Sequence, residues 1–307
     1  NGNGNLCNDE VMTLHTKKDN KRRGILMMLL ACLTFSLMDA VMKSLAMDFP
    51  AIQVTAMRAI SSLPIIVVYV HWRGAWATLW HVRWPLHVFR VVLGVLMLTF
   101  FAFALKQLPL TEAYTLFYIS PLAIAALSIP FLGEKVAKAS WIAILVGLIG
   151  VLVVLKPGFD GMVSMAGLAI LASALCYAFS AITVRLLSRT DSTESMIFWL
   201  MLGVSIAAGL MAAPGWVSIL PEHYGLIAAL AITGFIGQLT ITEAFKWAPS
   251  ATVTPFEYSA LVWSLGLDLL IWNTLPEVRV FIGAAIIVAS GVYLARHETS
   301  GTEAEHP

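Results

Sequence analysis

Ten stretches of this chain are each about twenty residues long and largely apolar, and a soluble fold has no use for so many of them. A strand is complete in five or six residues, and a helix at a soluble surface keeps a polar face. A helix of about twenty apolar residues instead matches the ~30 Å hydrocarbon core of a bilayer. The runs cover residues 24–46, 51–70, 86–105, 112–132, 139–155, 167–187, 194–213, 224–245, 251–272 and 280–295. Asp48-Phe49-Pro50, Gln107-Leu108-Pro109, Lys156-Pro157-Gly158, Ala213-Pro214-Gly215 and Leu275-Pro276-Glu277 separate them, and Pro and Gly stop helices at such points. The expected fold class is therefore an all-α integral membrane protein with ten transmembrane helices.

Charge placement supports that count and gives it a direction. Only 12% of residues are charged, against about 25% in an ordinary soluble domain. With a cytoplasmic N-terminus, the inward segments hold Lys17, Lys18, Lys21, Arg22, Arg23, Arg73, Arg83, Arg90, Lys135, Lys138, Arg185, Arg189, Lys246 and Arg296. The outward loops hold only Lys106, Lys156 and Arg279. A split of 14 to 3 predicts that both termini are cytoplasmic, because one missed or invented span would reverse its sign downstream. The expected location is the bacterial inner membrane. Residues 1–23 form a basic leader whose Gly/Asn-rich start reads in part as an appended tag, with Met12 a candidate native start. The first run contains Asp39 and Lys43 and lacks a clear cleavage site, so it reads as an uncleaved helix. Trp72, Trp76, Trp80 and Trp84 mark a short segment expected to lie along the membrane surface. Cys7, Cys32 and Cys176 carry no disulfide or metal-ligand spacing, and read as small packing residues.

The two halves of the chain resemble each other. Phe35, Asp39 and Lys43 in the first run correspond to Tyr177, Ala181 and Arg185 in the sixth, 142 positions later. Ala104-Leu105-Lys106-Gln107-Leu108-Pro109 matches Ala244-Phe245-Lys246-Trp247-Ala248-Pro249 at an offset of 140, and Gly150 matches Gly291 at 141. An odd number of spans per copy forces the second copy to enter the membrane upside down. The expected organisation is thus two inverted five-helix repeats, 24–155 and 156–296, with a cytoplasmic tail at 297–307. In inverted-repeat transporters the solute site lies near the midplane, between the repeats.

The Ala-Leu-Lys-Gln-Leu-Pro junction, Ser120-Pro121-Leu122, Leu132-Gly133-Glu134-Lys135 and Pro255-Phe256-Glu257-Tyr258-Ser259-Ala260 together resemble the EamA-type transporters of the drug/metabolite transporter superfamily. The likeness covers about residues 24–296. Near Trp272-Asn273-Thr274-Leu275 the second repeat departs from the family's usual acidic position, and Glu277 is displaced. The resemblance implies transport without ATP through a central cavity lined by the first, third, fourth, sixth, eighth and ninth spans. It does not imply a particular solute, since the family carries amino acids, nucleotide-like metabolites, riboflavin and drugs.

Ionisable groups at membrane depth narrow the site, since each costs several kcal/mol unless paired or hydrated (on the order of 2.5–3.5 by insertion scales). Asp39 and Lys43, four residues apart, either pair along their own helix, with Lys43 reaching the interface, or frame a cavity entrance. Arg58 lies too deep to reach an interface, and needs an internal partner or an anionic ligand. Arg185 reads as an interface anchor. Glu257, Leu261, Ser264 and Asp268 share one helical face behind Pro255, which is expected to free backbone carbonyls toward the cavity. Glu257 there either binds a cationic group, carries a proton, or bonds a neighbouring helix. Asp39 is the second candidate for proton coupling. Tyr114, Phe117, Tyr118, Tyr177 and Tyr258 supply aromatic walls that can serve packing or solute contact. Gln238 and Glu243 complete the candidates, with Glu243 alternatively paired to Lys246. Gly147, Gly150 and 283–285 read as structural or dimer-forming small-residue surfaces on the fifth and tenth spans.

The reading that follows is a secondary transporter moving a small organic metabolite by alternating access, with an amino-acid, nucleotide-like or vitamin-like solute. The alternative is an integral-membrane enzyme acting on a lipid-like substrate. Such an enzyme needs polar loops bearing a nucleophile or metal ligands, and His71, His81, His87 and His223 show no ligand spacing. No cofactor, metal or nucleic-acid partner is expected. The expected partners are the solute and the lipid bilayer, with the protein a monomer or a homodimer through its fifth and tenth helices.

Overall fold

A computed structural model describes residues 3–80, 82–132, 138–155, 164–187, 189–247 and 254–303. Among these residues all the regular structure is helical, with no strand. Its helices are α1 (Asn3–Asp48), α2 (Ala51–Trp72), α3 (Trp84–Leu105), α4 (Leu110–Phe117), α5 (Ser120–Leu132), α6 (Lys138–Leu155), α7 (Met165–Leu187), α8 (Thr193–Ala212), α9 (Tyr224–Trp247), α10 (Ser259–Trp272) and α11 (Val278–Glu303). Six of the helices described are long and apolar enough to cross a membrane, within Arg22–Asp48, Ala51–Trp72, Trp84–Leu105, Met165–Val184, Thr193–Gly215 and Pro221–Ile241. Ile144–Leu155 and Val278–Tyr293 are shorter apolar helices. The outer face of α6 exposes Trp141, Ile142, Leu145, Ile149 and Leu152 side by side, an apolar face suited to lipid. The chain is an all-α, multi-pass membrane protein.

Local chemistry sets the helix ends. Pro50 and Pro109 immediately precede α2 and α4, where a missing N–H costs nothing. Ser192 caps α8 by accepting from the Ser195 amide at 3.2 Å. Asn273 ends α10 in the left-handed region (φ 51°), a conformation asparagine tolerates. The fourth apolar run, read from the sequence as one span, is broken: α4 stops at Phe117 and α5 begins at Ser120. Pro121 has no N–H to offer the Phe117 carbonyl, so the ladder is interrupted there. In the described part of the ninth run, a 3-10 turn, Thr254–Tyr258, precedes α10.

The two halves interleave. The most extensive helix pairings are α1 with α9, α6 with α11, α2 with α8 and α3 with α7, each joining one half to the other. Glycine makes the closest of these approaches possible. A Cβ on Gly150 would stand 3.1 Å from the Gly283 carbonyl, and one on Gly283 would stand 2.8 Å from that of Gly150. The small residues of the fifth and tenth apolar runs therefore pack against each other within one chain. The tryptophan segment forms a short 3-10 turn, Ala75–Leu79, held where Trp199 donates to the Leu79 carbonyl at 2.8 Å.

Candidate functional site

Asp268, near the end of α10, is completely buried and fully bonded. It accepts from the amides of Leu110 (2.9 Å) and Thr111 (2.8 Å), from the Thr111 hydroxyl (2.9 Å) and from Lys43 Nζ (3.5 Å). Those amides open α4, so a carboxylate from another helix caps its positive end. Lys43 also donates to the Leu108 carbonyl at 2.9 Å and lies 4.4 Å from the centre of the Trp272 ring. The pair of Asp39 with Lys43 along α1, one of the two readings of these residues, is not formed, and Lys43 turns to Asp268 and the Leu108 carbonyl instead. A pair four residues apart is worth a few tenths of a kcal/mol, roughly 0.2–0.5, whereas Asp268 offers Lys43 a buried partner. Ser264, also fully buried, donates to the Leu261 carbonyl and lies 3.5 Å from the Thr111 hydroxyl, so it belongs to this cluster.

Asp39 and Arg58 meet deeper in the bundle. The Tyr114 hydroxyl donates to Asp39 Oδ2 at 2.6 Å, and Arg58 lies 3.9 Å from Asp39 Oδ1 and 3.3 Å from the Met42 sulfur. Arg58 thus has the internal partner its depth demands, but a loose one. Asp39 Oδ1 is buried without a hydrogen bond among the described residues.

Around the two helix breaks the aromatic candidates come together. Tyr118, in the gap between α4 and α5, faces Tyr258, at the junction of the 3-10 turn with α10, with ring centres 5.0 Å apart. Phe117 lies 5.4 Å from Tyr177 on α7, and Tyr114 lies 6.3 Å from Tyr118. Phe117, Tyr118 and Tyr258 are half-buried, and Tyr177 keeps 41% of its surface accessible. The Glu257 carboxylate is within electrostatic reach of Tyr118, Tyr177, Tyr258 and Cys32. Among the described residues it has neither hydrogen bond nor ion pair. The backbone carbonyls freed at the turn are occupied from within the chain: the Tyr118 hydroxyl donates to the Glu257 carbonyl at 2.7 Å, and the Cys32 thiol approaches the Phe256 and Glu257 carbonyls.

A separate cleft of about 450 Å³ runs from Arg58 and Ser62 to Arg73 and Thr193 between α1, α2, α8 and α9. Phe35 and Gln238 line it, as does Glu243, which accepts from Trp247 at 2.7 Å. Its helices correspond to the first, second, seventh and eighth apolar runs, a different set from the one the resemblance implied. A larger hollow of about 570 Å³ near Ala46–Ala51 and Phe103 is mostly apolar, with Lys106 and Gln107 also in its lining.

Sequence reasoning missed two polar clamps. Gln53 exchanges two hydrogen bonds with the Val217 backbone, at 2.7 and 2.9 Å. His87 lies 2.8 Å from Asp191, which also accepts from the Arg83 amide at 3.1 Å and the Thr190 hydroxyl at 2.5 Å. Burial works against the charge of Asp191, but the Thr190, His87 and Arg83 donors together hold its carboxyl below the usual range. Nothing local in the sequence signals the long-range bonds of either clamp, which join residues 104 or more positions apart. Among the described residues no three His, Cys, Asp or Glu side chains gather to hold a metal. Glu134 lies outside the described residues, as do the side chains of Arg185, Lys246 and Pro255.

Comparison with known proteins gives these clusters a setting. The EamA-like transporter family profile matches the chain twice, over residues 22–156 and 164–296. The pseudopaline exporter CntI of Pseudomonas aeruginosa (strain UCBPP-PA14) is 28% identical over 91% of this chain and 98% of its own. The riboflavin transporter of Vibrio cholerae is 29% identical, covering 94% of this chain and 98% of its own. The S-adenosylmethionine uptake transporter of Rickettsia conorii is 25% identical, covering 92% and 96%. A solved crystal structure superposes with a TM-score of 0.62 at 23% identity, over 89% of this chain and 98% of that one, and shows a shared fold.

Proposed function

The chain belongs to the EamA-like transporter family, and from that premise we propose that it is a secondary transporter carrying a small organic metabolite across the bacterial inner membrane by alternating access. The reading takes ten spans as two inverted repeats, residues 24–155 and 156–296, with both termini cytoplasmic. Two matches to one family profile support the repeats. So does the helix pairing, because exchanging the halves converts α1 with α9 into α7 with α3 and leaves the other two main pairings unchanged.

One observation carries the reading to a site. Tyr118 and Tyr258 stand 140 positions apart, at equivalent places in the two halves, and each lies at a helix break. They face each other across 5.0 Å with the Glu257 carboxylate beside them. Broken helices meeting between inverted repeats are where transporters of this architecture hold solute. In this reading Glu257, Tyr258, Tyr118, Tyr177, Tyr114 and Phe117 form the solute wall. The Asp39–Arg58 pair lies one aromatic ring away, and Gln238 lies along the cleft. Ser264 serves the Asp268 cluster instead. With the orientation above, that cluster seals the outer end while the cleft opens at the inner end, which describes an inward-facing state. The relatives' names favour solutes of amino-acid, nucleotide-like or vitamin-like size. Coupling runs through a proton on Glu257 or Asp39, or through exchange. The chain acts as a monomer or as a homodimer, and a homodimer would use the outer faces of α6 and α11, since their glycines are already occupied.

The test is flux of labelled metabolites in proteoliposomes. Glu257→Gln is expected to lower flux about tenfold or more, equivalent to about 1.4 kcal/mol at the site. Wild-type flux in that variant sinks the site assignment, and flux indifferent to an imposed pH gradient excludes proton coupling.

A further inference from the structure

Resting on the transporter reading above, we propose that the aromatic cluster around Glu257 takes an organic cation, a methylated or primary ammonium group seated over tyrosine faces with the Glu257 carboxylate as its counter-ion. Two properties of the cluster meet only in such a ligand. The first is the carboxylate itself. It has no hydrogen bond or ion pair among the described residues, while the nearby Asp39 and Asp268 are each engaged by a cation and a hydroxyl. A charge left uncompensated at membrane depth is costly, and a solute cation offsets that cost on arrival.

The second property is the wall. Tyr118, Tyr177, Tyr258 and Phe117 come from three separate helical regions and keep accessible surface while packing ring to ring. Their faces carry negative quadrupole potential, which attracts a desolvated cation and does nothing for an anion. A proton alone would answer the carboxylate but leaves the accessible rings without a role. An anionic solute would meet the carboxylate as a like charge. The Tyr118 hydroxyl is committed to the Glu257 carbonyl, which fixes its ring as a wall and removes it as a donor to solute.

The test uses choline and its uncharged carbon isostere 3,3-dimethylbutan-1-ol, titrated calorimetrically against the purified full chain in micelles. Wild type is expected to bind choline at least about tenfold more tightly than the isostere. Glu257→Gln should erase that preference, and Glu257→Asp, which keeps the charge, should keep it. Tyr177→Leu is expected to weaken choline about threefold or more while leaving the isostere unchanged. Equal binding of the two compounds, no binding of choline, or a preference that survives Glu257→Gln overturns the proposal. Metabolite flux separates this failure from that of the transporter site. If Glu257→Gln still stops flux while choline shows no preference, the site stands and the cation falls; if flux is also untouched, both fall.

Discussion

Asp268 and Glu257 are two carboxylates eleven positions apart on one stretch of chain, and their surroundings are opposite. Asp268 has no accessible surface and takes four donors, two of them the opening amides of α4. Glu257 keeps accessible surface and, among the described residues, has no donor to its side chain. A saturated buried carboxylate ties elements together, because every lone pair it offers is already committed. An unsaturated one among accessible rings is available to something that arrives. The contrast teaches that membrane depth alone does not mark a solute site. In the proposed reading, the degree of satisfaction separates the structural acid from the candidate solute-binding one.

The comparison is most exposed to substitution at Asp268. Asp268→Ala leaves Lys43 and the start of α4 without their partner, and is expected to cost about 3–5 kcal/mol in unfolding free energy. The double variant Lys43→Met, Asp268→Leu should recover much of that loss, because no charge is then left unpaired. Thermal unfolding in detergent reads both. Glu257→Gln in the same assay should be neutral or stabilising. If Glu257→Gln destabilises as much as Asp268→Ala does, the distinction between the two acids collapses.

A smaller effect sharpens the contrast from the side of the aromatic cluster. A Cβ on Gly291 would stand 1.7 Å from the Tyr258 hydroxyl, so α11 leaves room there for this ring. Gly291→Ala must therefore displace Tyr258 toward Tyr118 and Glu257. The expected cost is about 1–3 kcal/mol in stability, with flux reduced several-fold. Gly209→Ala meets nothing within 4 Å and serves as the control. Equal flux in the two variants would detach Tyr258 from the site.

These regions were unequally legible in the sequence. Hydropathy is a local property, so the apolar runs could be read directly, and among the described residues the chain is helical along them, six of these helices being long and apolar enough to cross a membrane. The break after Phe117 was also written locally, in Pro121, but an apolar run of this length hides it. Candidate residues such as Glu257, Tyr118 and Tyr177 were found by type and spacing. What each was bonded to was not legible. Lys43 has a carboxylate four residues away in sequence, yet takes Asp268, 225 positions distant. Asp39 takes Tyr114, 75 positions distant. Helix packing decides such pairings, and a single sequence carries no record of which helices touch.

The smallest expected effect concerns a third acid, which belongs with Asp268. Asp191 takes donors from Thr190, Arg83 and His87, and its carboxyl is held below the usual range. A carboxyl depressed in the folded state stabilises fully above its unfolded value of about 4, and that contribution fades as pH falls through the lower folded value. Asp191→Asn should therefore cost on the order of 1 kcal/mol at neutral pH, the scale of one satisfied hydrogen-bond site. The gap to wild type should close on acidification, from about pH 4 downward. Unfolding followed at several pH values measures it. A constant gap across that range would mean that Asp191 holds His87 by packing alone, and that saturation with donors does not by itself make an acid structural in this fold.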